Sequence, residues 1–227
     1  MICVIIGSIA GKITLSGRHF MNNKGIIVVV SGFSGAGKGT LMKELLSRYD
    51  NYALSISATT RNPRPGEENG REYFFVTKDE FEKLIAEDGL VEYANYVGNY
   101  YGTPKKFVQE KLDQGKDVIL EIEIQGALQI KKKFPQALLL FVMPPSVEEL
   151  EKRLRGRGTE TDEVIHGRLL RAKEEGQGID EYDNIVINDN LDDCVKEMHE
   201  IIQSSHYTPE RNREFIDTIK KQLSELN

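Results

Sequence analysis

The stretch Ile26-Ile27-Val28-Val29-Val30-Ser31-Gly32-Phe33-Ser34-Gly35-Ala36-Gly37-Lys38-Gly39-Thr40 decides how this chain is read. The run up to Ser31 is continuously apolar, as in a strand buried on both faces. A glycine-rich turn follows, and a helix opens at Gly37 and continues through Leu41-Met42-Lys43-Glu44-Leu45-Leu46. Strand, glycine turn and helix in this order make a cradle for phosphate. The glycines let backbone N–H groups converge on the β- and γ-phosphates, the helix N-terminus adds positive potential, and Lys38 adds a point charge. A glycine turn without a ligand is the alternative; four glycines and a lysine between a Val/Ile strand and an amphipathic helix weigh against it. Gly39 stands where Ser or Thr follows the lysine in the strict pattern, with Thr40 one residue later.

The bulk composition narrows the remaining classes. A chain of 227 residues suits one α/β domain with small insertions. A net charge of −6 argues against a nucleic-acid binder. The arginines fall in two islands: Arg61, Arg64 and Arg71, then Arg153, Arg155, Arg157, Arg168 and Arg171. Such islands in an acidic protein suggest small anions held at defined places; a solvated helix face explains any one arginine but not both groups. Cys3 and Cys194 match no metal-ligand spacing, and His19, His166, His199 and His206 form no site. The apolar run Ile2–Ala10 is too short to span a bilayer and lacks a preceding basic region. Residues 1–23 read as an N-terminal extension, with 1–20 dispensable, and the chain as cytoplasmic with no membrane or obligate protein partner.

Further strands are expected over Lys116–Glu123, Ala137–Met143 and Asn184–Ile187, again without alternation, hence a parallel sheet covered by helices. Helices are expected over 104–114, over 146–155 with Glu148 and Glu149 in its first turn, and over 191–203. Residues 208–226 read as an exposed or capping helix. Residues 54–103 are rich in Ser, Thr, Tyr, Gly and Asn and read as a polar insertion. Gly156-Arg157-Gly158 and the charged stretch that follows, to 176, suit a mobile lid.

Within the insertion lies Ser57-Ala58-Thr59-Thr60-Arg61-Asn62-Pro63-Arg64-Pro65-Gly66-Glu67, then Asn69-Gly70-Arg71-Glu72-Tyr73, Glu92 and Gly98-Asn99-Tyr100-Tyr101-Gly102-Thr103. With the phosphate loop, Gln125-Gly126, Pro144-Pro145-Ser146, Arg153-Leu154-Arg155-Gly156-Arg157-Gly158 and Val186-Ile187-Asn188-Asp189, this resembles guanylate kinase over nearly all of 24–207. The resemblance implies a P-loop kinase core (24–53, 104–155 and 177–207), a small mixed α/β GMP-binding region (54–103), a helical lid (156–176) and a C-terminal helix (208–227). It implies a phosphotransferase taking ATP and GMP, and dGMP as well, to ADP and the diphosphate, with Mg²⁺.

The implied roles each make physical sense. Arg61 and Arg64 would clamp the acceptor phosphate with guanidinium forks, and Tyr73 and Tyr101 would donate hydroxyl hydrogen bonds to it. Glu92 would read guanine, whose N1–H and exocyclic amine offer two donors to one carboxylate; adenine offers an acceptor at N1. Ser57 and Thr103 would add contacts to the base, and Glu123 would face its donor edge. Lys38 and the loop from Gly32 to Thr40 would hold ATP, joined by Arg153 and Asn188, while Arg157 and Arg168 would close over the transferring group. Arg155 and Arg171 read as a solvated face.

The sequence departs from the family pattern at Glu121 and Glu123, where Asp is usual, at Phe33, where Pro is frequent, and at Gly39. Metal contact is expected from Thr40 and Glu121, through water where not direct. A phosphopeptide-binding module that has lost catalysis is the rival reading, and the intact Lys38, loop glycines and lid arginines oppose it. A kinase for another monophosphate is the third, opposed by Glu92.

Overall fold

The computed structural model describes residues 24–96, 98–156 and 161–226. The expected extension 1–23 and the lid residue Arg157 lie outside the described residues. In chain order the elements are β1 (Ile27–Gly32), α1 (Lys38–Arg48), β2 (Tyr52–Leu54), β3 (Ala58–Thr59), β4 (Phe74–Phe75), α2 (Lys78–Ala86), β5 (Leu90–Tyr96) and β6 (Asn99–Pro104). There follow α3 (Lys105–Asp113), β7 (Asp117–Glu121), α4 (Ile124–Lys133), β8 (Leu138–Met143), α5 (Val147–Arg155) and α6 (Asp162–Glu175). A 3-10 turn (Gly176–Glu181), β9 (Asn184–Ile187), α7 (Leu191–Ser205) and α8 (Arg213–Ser224) complete them.

Five strands form one sheet in the order β2-β7-β1-β8-β9, and every neighbouring pair is parallel. A parallel pair needs a crossover, so helices cover both faces. The period-two alternation of side chains sorts the apolar strands into two cores. Val28, Val30, Ile119, Leu140 and Val142 face Leu41, Met42 and Leu45 of α1 and Val195, Met198 and Ile202 of α7. Val29, Val118, Leu120 and Leu139 face Val108 of α3 and Ala127 and Ile130 of α4. Each fully buried Val or Leu contributes about 1.5–3 kcal/mol, which is why these strands carry no polar face. β1 lies at the centre, so the glycine loop emerges at the C-terminal edge of the sheet, where open α/β folds bind ligands.

The insertion builds a second sheet, β4-β3-β6-β5, in which β6 pairs antiparallel with β3 and β5. It has its own small core of Ala58, Phe81 and Leu90 with Phe74, Val76 and Leu84 around them. Thr77 and Glu80 cap α2 reciprocally, a capping box.

The strand expected over 116–123 stops at Glu121. Ser31 Oγ donates to the Ile122 carbonyl at 2.7 Å, and Glu123 becomes the N-cap of α4. At the opposite edge, Asp117 (2% exposed) accepts from the Ile26 amide at 3.0 Å and lies 2.9 Å from His206 Nε2. His199 Nδ1 lies 2.7 Å from the Tyr52 hydroxyl and the ring stacks on Tyr49. Both histidines therefore tie α7 and the turn after it to the strand starts. Cys194 is buried, and that burial pushes its thiol up to about 11, so it is inert as a nucleophile. Among the described residues no helix is long and apolar enough to cross a membrane.

Candidate active site

The loop between β1 and α1 depends on two glycine positions. Gly35 (φ 96°) and Gly37 (φ 88°) hold left-handed backbone that other residues adopt only under strain. Gly37 is the N-cap of α1 and places no side chain over the first helical N–H groups. A Cβ there would meet Asn188 Nδ2 at 2.5 Å. Asn188, at the end of β9, donates from that nitrogen to the Ala36 carbonyl at 2.8 Å. Arg153 on α5 donates to the Asn188 carbonyl at 2.9 Å and reaches the Ala36 carbonyl at 3.5 Å. The two residues thus clasp the back of the loop and leave its mouth to Lys38. Lys38 Nζ bends over that mouth, 2.7 Å from the Gly32 carbonyl and 3.2 Å from that of Phe33. Phe33 docks edge-on to Phe141 with ring centroids 5.1 Å apart, so packing supplies the stiffness that proline gives elsewhere. Gly39 faces open space, so the missing hydroxyl at that position is not imposed by crowding.

Helix α6 packs Ile165 and Leu169 onto Leu150 and Leu154 of α5 and onto Phe33. From it, Arg168 Nη1 donates to Ser34 Oγ at 3.3 Å, joining this helix to the loop. Arg155 pairs with Glu151 and Asp162 at the surface, in keeping with a solvated face. Arg171 departs from that reading. Its Nη2 donates to Glu123 Oε1 at 2.7 Å and its Nε to Glu175 Oε1 at 3.1 Å, so it points toward the start of α4.

In the insertion the Thr-Thr-Arg segment is pinned before the arginine acts. The Thr59 hydroxyl, fully buried, donates to the Tyr100 carbonyl at 2.9 Å and accepts from the Arg61 amide at 3.2 Å. Thr60 Oγ1 accepts from the Tyr100 amide at 2.9 Å. Arg61 Nη2 then donates to both oxygens of Glu67 at 3.0 Å, and its guanidinium lies 5.3 Å from the centre of the Tyr73 ring. The Arg64 amide also donates to Glu67, at 2.7 Å. That amide first, then the Arg61 guanidinium, holds the Glu67 carboxyl below its ordinary range. Tyr73 and Tyr101 meet edge to face at 6.1 Å. Arg61, Tyr73 and Tyr101 are therefore brought together, while the Arg64 side chain is exposed at the rim.

Glu92 on β5 is 6% exposed, and the buried Thr103 hydroxyl of β6 donates to its Oε1 at 2.7 Å. Burial pushes its carboxyl above the ordinary value, against the Thr103 hydrogen bond, which favours the charged form. A Cβ on Gly126 of α4 would lie 3.4 Å from Glu92 Oε2. One oxygen is thus committed and the other faces space that a glycine leaves open. Ser57 precedes β3, partly buried, and its carbonyl accepts from the Phe74 amide at 2.9 Å.

A cavity of about 610 Å³ lies between the phosphate loop, the start of α4 and α6, lined by Ser34, Lys38, Glu121, Glu123, Arg168, Arg171 and Glu175 among others, and Tyr73 of the insertion reaches it. Its cations and carboxylates balance, three of each. Glu175 is pushed up by burial, which Arg171 opposes. Among the described residues no group of three or more His, Cys, Asp or Glu could hold a metal ion. The hard donors at hand are the Glu121 carboxylate in the cavity and the Thr40 hydroxyl in the first turn of α1. That sparse oxygen set fits Mg²⁺ that arrives on phosphates and keeps several waters.

Sequence reasoning assigned no role to Thr59, Glu67 or Gly126 and read Arg171 as part of a solvated face. The first three lie inside motifs already quoted, and the nearness of Thr59 and Glu67 to Arg61 was the signal for those two. Arg171 gave none, because its partner lies 48 positions away.

The family model described as guanylate kinase matches residues 24–205. The guanylate kinase of Lactococcus lactis is 49% identical over 191 residues, covering 84% of this chain and 93% of the relative. That of Bacillus subtilis is 49% identical over 192 residues, covering 84% and 94%. The crystal structure of guanylate kinase from Anaplasma phagocytophilum superposes with a TM-score of 0.68 at 28% identity, covering 88% of this chain and 97% of that one. With the matched model spanning β1 through α7, including the glycine loop and the insertion, the chain belongs to the guanylate kinase family.

Proposed function

We propose a division of labour for the reaction ATP + GMP → ADP + GDP, the phosphotransfer of the family to which this chain belongs. Residues 24–53, 104–155 and 177–207 act as the core, 54–103 as the acceptor region and 156–176 as the lid. Lys38 and the N–H groups from Gly32 to Thr40 hold the β- and γ-phosphates of ATP, on a loop that Arg153 and Asn188 keep in shape. Arg61, with Tyr73 and Tyr101 beside it, takes the acceptor phosphate; Arg64 adds charge from the rim. Glu67 orients Arg61 beforehand. Glu92 accepts from guanine N1–H and the exocyclic amine through the oxygen that faces Gly126. Thr103 holds the other oxygen, Ser57 adds a contact to the base, and Glu123 faces its donor edge. Nothing in this scheme depends on a ribose 2′-hydroxyl, so dGMP is an acceptor too.

The accepting phosphate oxygen is already anionic, so no general base is required and the protein's work is alignment and charge stabilisation. Arg168 and Arg157 supply positive charge at the transferring group as the lid closes, and closure keeps water from taking the phosphoryl group. Mg²⁺, held by the nucleotide phosphates with Glu121 and Thr40 reached directly or through water, supplies charge neutralisation when bound. We place the enzyme in the cytoplasm, which holds both nucleotides.

The observation that carries this reading is the buried Glu92–Thr103 pair, one carboxylate oxygen committed and the other open beside Gly126. An assay of ADP release with GMP, dGMP, AMP, CMP and UMP tests it. GMP and dGMP should be used and the others rejected; equal rates with AMP and GMP would overturn the role of Glu92.

A further inference from the structure

Arg171 stands at the junction of two cavities. One is the chamber of about 610 Å³ described above. The other, about 580 Å³, runs between Ala94 and Asn95 of β5, the first turn of α4 and the facing side of α6. Glu123, Ile124, Arg171 and Glu175 line both. The Arg171–Glu123 bond crosses this junction from the lid helix to the cap of α4. Glu123 is available for it: its side chain makes no capping bond to α4, and a carboxylate beside a helix N-terminus is favourably placed. Glu175, one turn further along α6, takes the Arg171 Nε and fixes the rotation of the guanidinium.

We propose that Arg171 is a positioning residue for phosphoryl transfer, its bridge to Glu123 setting how closely the lid helix α6 seats against the acceptor-side wall. The inference rests on the roles assigned above to Arg168 and Glu123. Arg168 lies one turn from Arg171 on the same helix and reaches Ser34 at 3.3 Å. Seating one therefore seats the other: the bridge fixes α6 against α4 while Arg168 meets the phosphate loop. Arg171 itself is no phosphate ligand, because two carboxylates already neutralise it. The Arg171 and Glu123 side chains are 39% and 69% exposed, so the bridge is screened and its effect is roughly three- to fivefold.

The test measures kcat, the KM values and Tm for the full chain carrying Arg171→Ala, Arg171→Lys, Glu123→Gln, or Arg171→Ala with Glu123→Gln. Arg171→Ala should lower kcat roughly three- to fivefold, leave KM for ATP and Tm unchanged, and lose its effect near about 1 M salt, where the screening length is about 3 Å. Lysine should restore part of the loss, and in the Glu123→Gln background the alanine change should do nothing further. An unchanged kcat, an equal loss in both backgrounds, or a large rise in KM for ATP would overturn the proposal. Amide hydrogen exchange over 162–175 reads the bridge without turnover. Arg171→Ala should speed it several-fold, and unchanged exchange refutes the bridge even if the wild type failed to phosphorylate GMP, a failure that would refute the function instead.

Discussion

Replacing Glu92 by Gln keeps side-chain volume and changes only charge and donor pattern. The buried Thr103 hydroxyl donates at 2.7 Å to one carboxylate oxygen and the Thr103 backbone amide, a donor only, also bonds this carboxylate, which favours the carbonyl oxygen of the new amide in that place. The new NH₂ group must then occupy the position of the other oxygen, beside Gly126, where guanine is to be read. Two guanine donors would face two amide donors. Losing two charge-assisted hydrogen bonds worth about 1.5–3 kcal/mol each, inside a site 6% exposed, costs about 3–6 kcal/mol in all. That corresponds to a fall of roughly 150- to 25,000-fold in kcat/KM for GMP. AMP, whose N1 accepts, should lose far less and improve relative to GMP. Stability should move the other way. The folded carboxyl titrates above its unfolded value, so stability falls as pH rises through that window, and the charged form is an unfavourable element at neutral pH. Tm of the Gln variant should match or exceed wild type at pH 8, with the gap closing as the pH drops below the ordinary glutamate range. Coupled ADP-release kinetics and thermal melts at several pH values measure both. A variant within threefold of wild type on GMP, or one several degrees less stable at pH 8, would refute the reasoning.

Three further changes probe separate parts of the site. Lys38→Met removes the lysine charge over the loop mouth and should cut kcat by a hundredfold or more, while GMP affinity measured by calorimetry stays near wild type. Gly126→Ala should stabilise α4 by about 0.5–1 kcal/mol in thermal melts, yet raise KM for GMP at least about tenfold, since the new methyl lies 3.4 Å from Glu92 Oε2. Asn188→Ala removes the 2.8 Å bond to the Ala36 carbonyl; a loss of about 1–2 kcal/mol and a several-fold rise in KM for ATP, with KM for GMP unchanged, are expected. The acid limb of kcat/KM for GMP should fall at higher pH than an ordinary glutamate gives, because burial raises Glu92. The Gln variant supplies the baseline for the phosphate's own ionisation near about 6.

The parallel sheet was legible in the sequence wherever both faces of a strand are buried, as in Val28–Val30 and Leu138–Val142, because continuous apolar runs admit few other structures. The glycine loop and its lysine were legible for the same reason: backbone geometry and charge both constrain them. β2, three residues at the sheet edge, gave too short a signal. α4 was hidden because its apolar residues Ala127 and Ile130 follow a strand without a break in composition. α2 was readable and passed over, since Thr77 and Glu80 spell out its capping box. In the site, Arg61, Tyr73 and Glu92 stood out through the motifs around them. The bonds that orient them could not be read, since Thr59 to Tyr100 and Arg171 to Glu123 join positions 41 and 48 apart that only the fold brings together.

The central place of β1 has a consequence for how the chain is made. The amide of Ile26, just before β1, waits for Asp117 at the start of β7, 91 positions downstream, and the strand's other neighbour, β8, comes later still. At about 5–20 residues per second a ribosome needs roughly 5–18 s to supply the first partner. For that interval Val28, Val29 and Val30 have no sheet to enter, although the small core of the insertion is already complete in sequence. The insertion can therefore fold first on the nascent chain, while the apolar strand that ends in the phosphate loop waits for both of its neighbours.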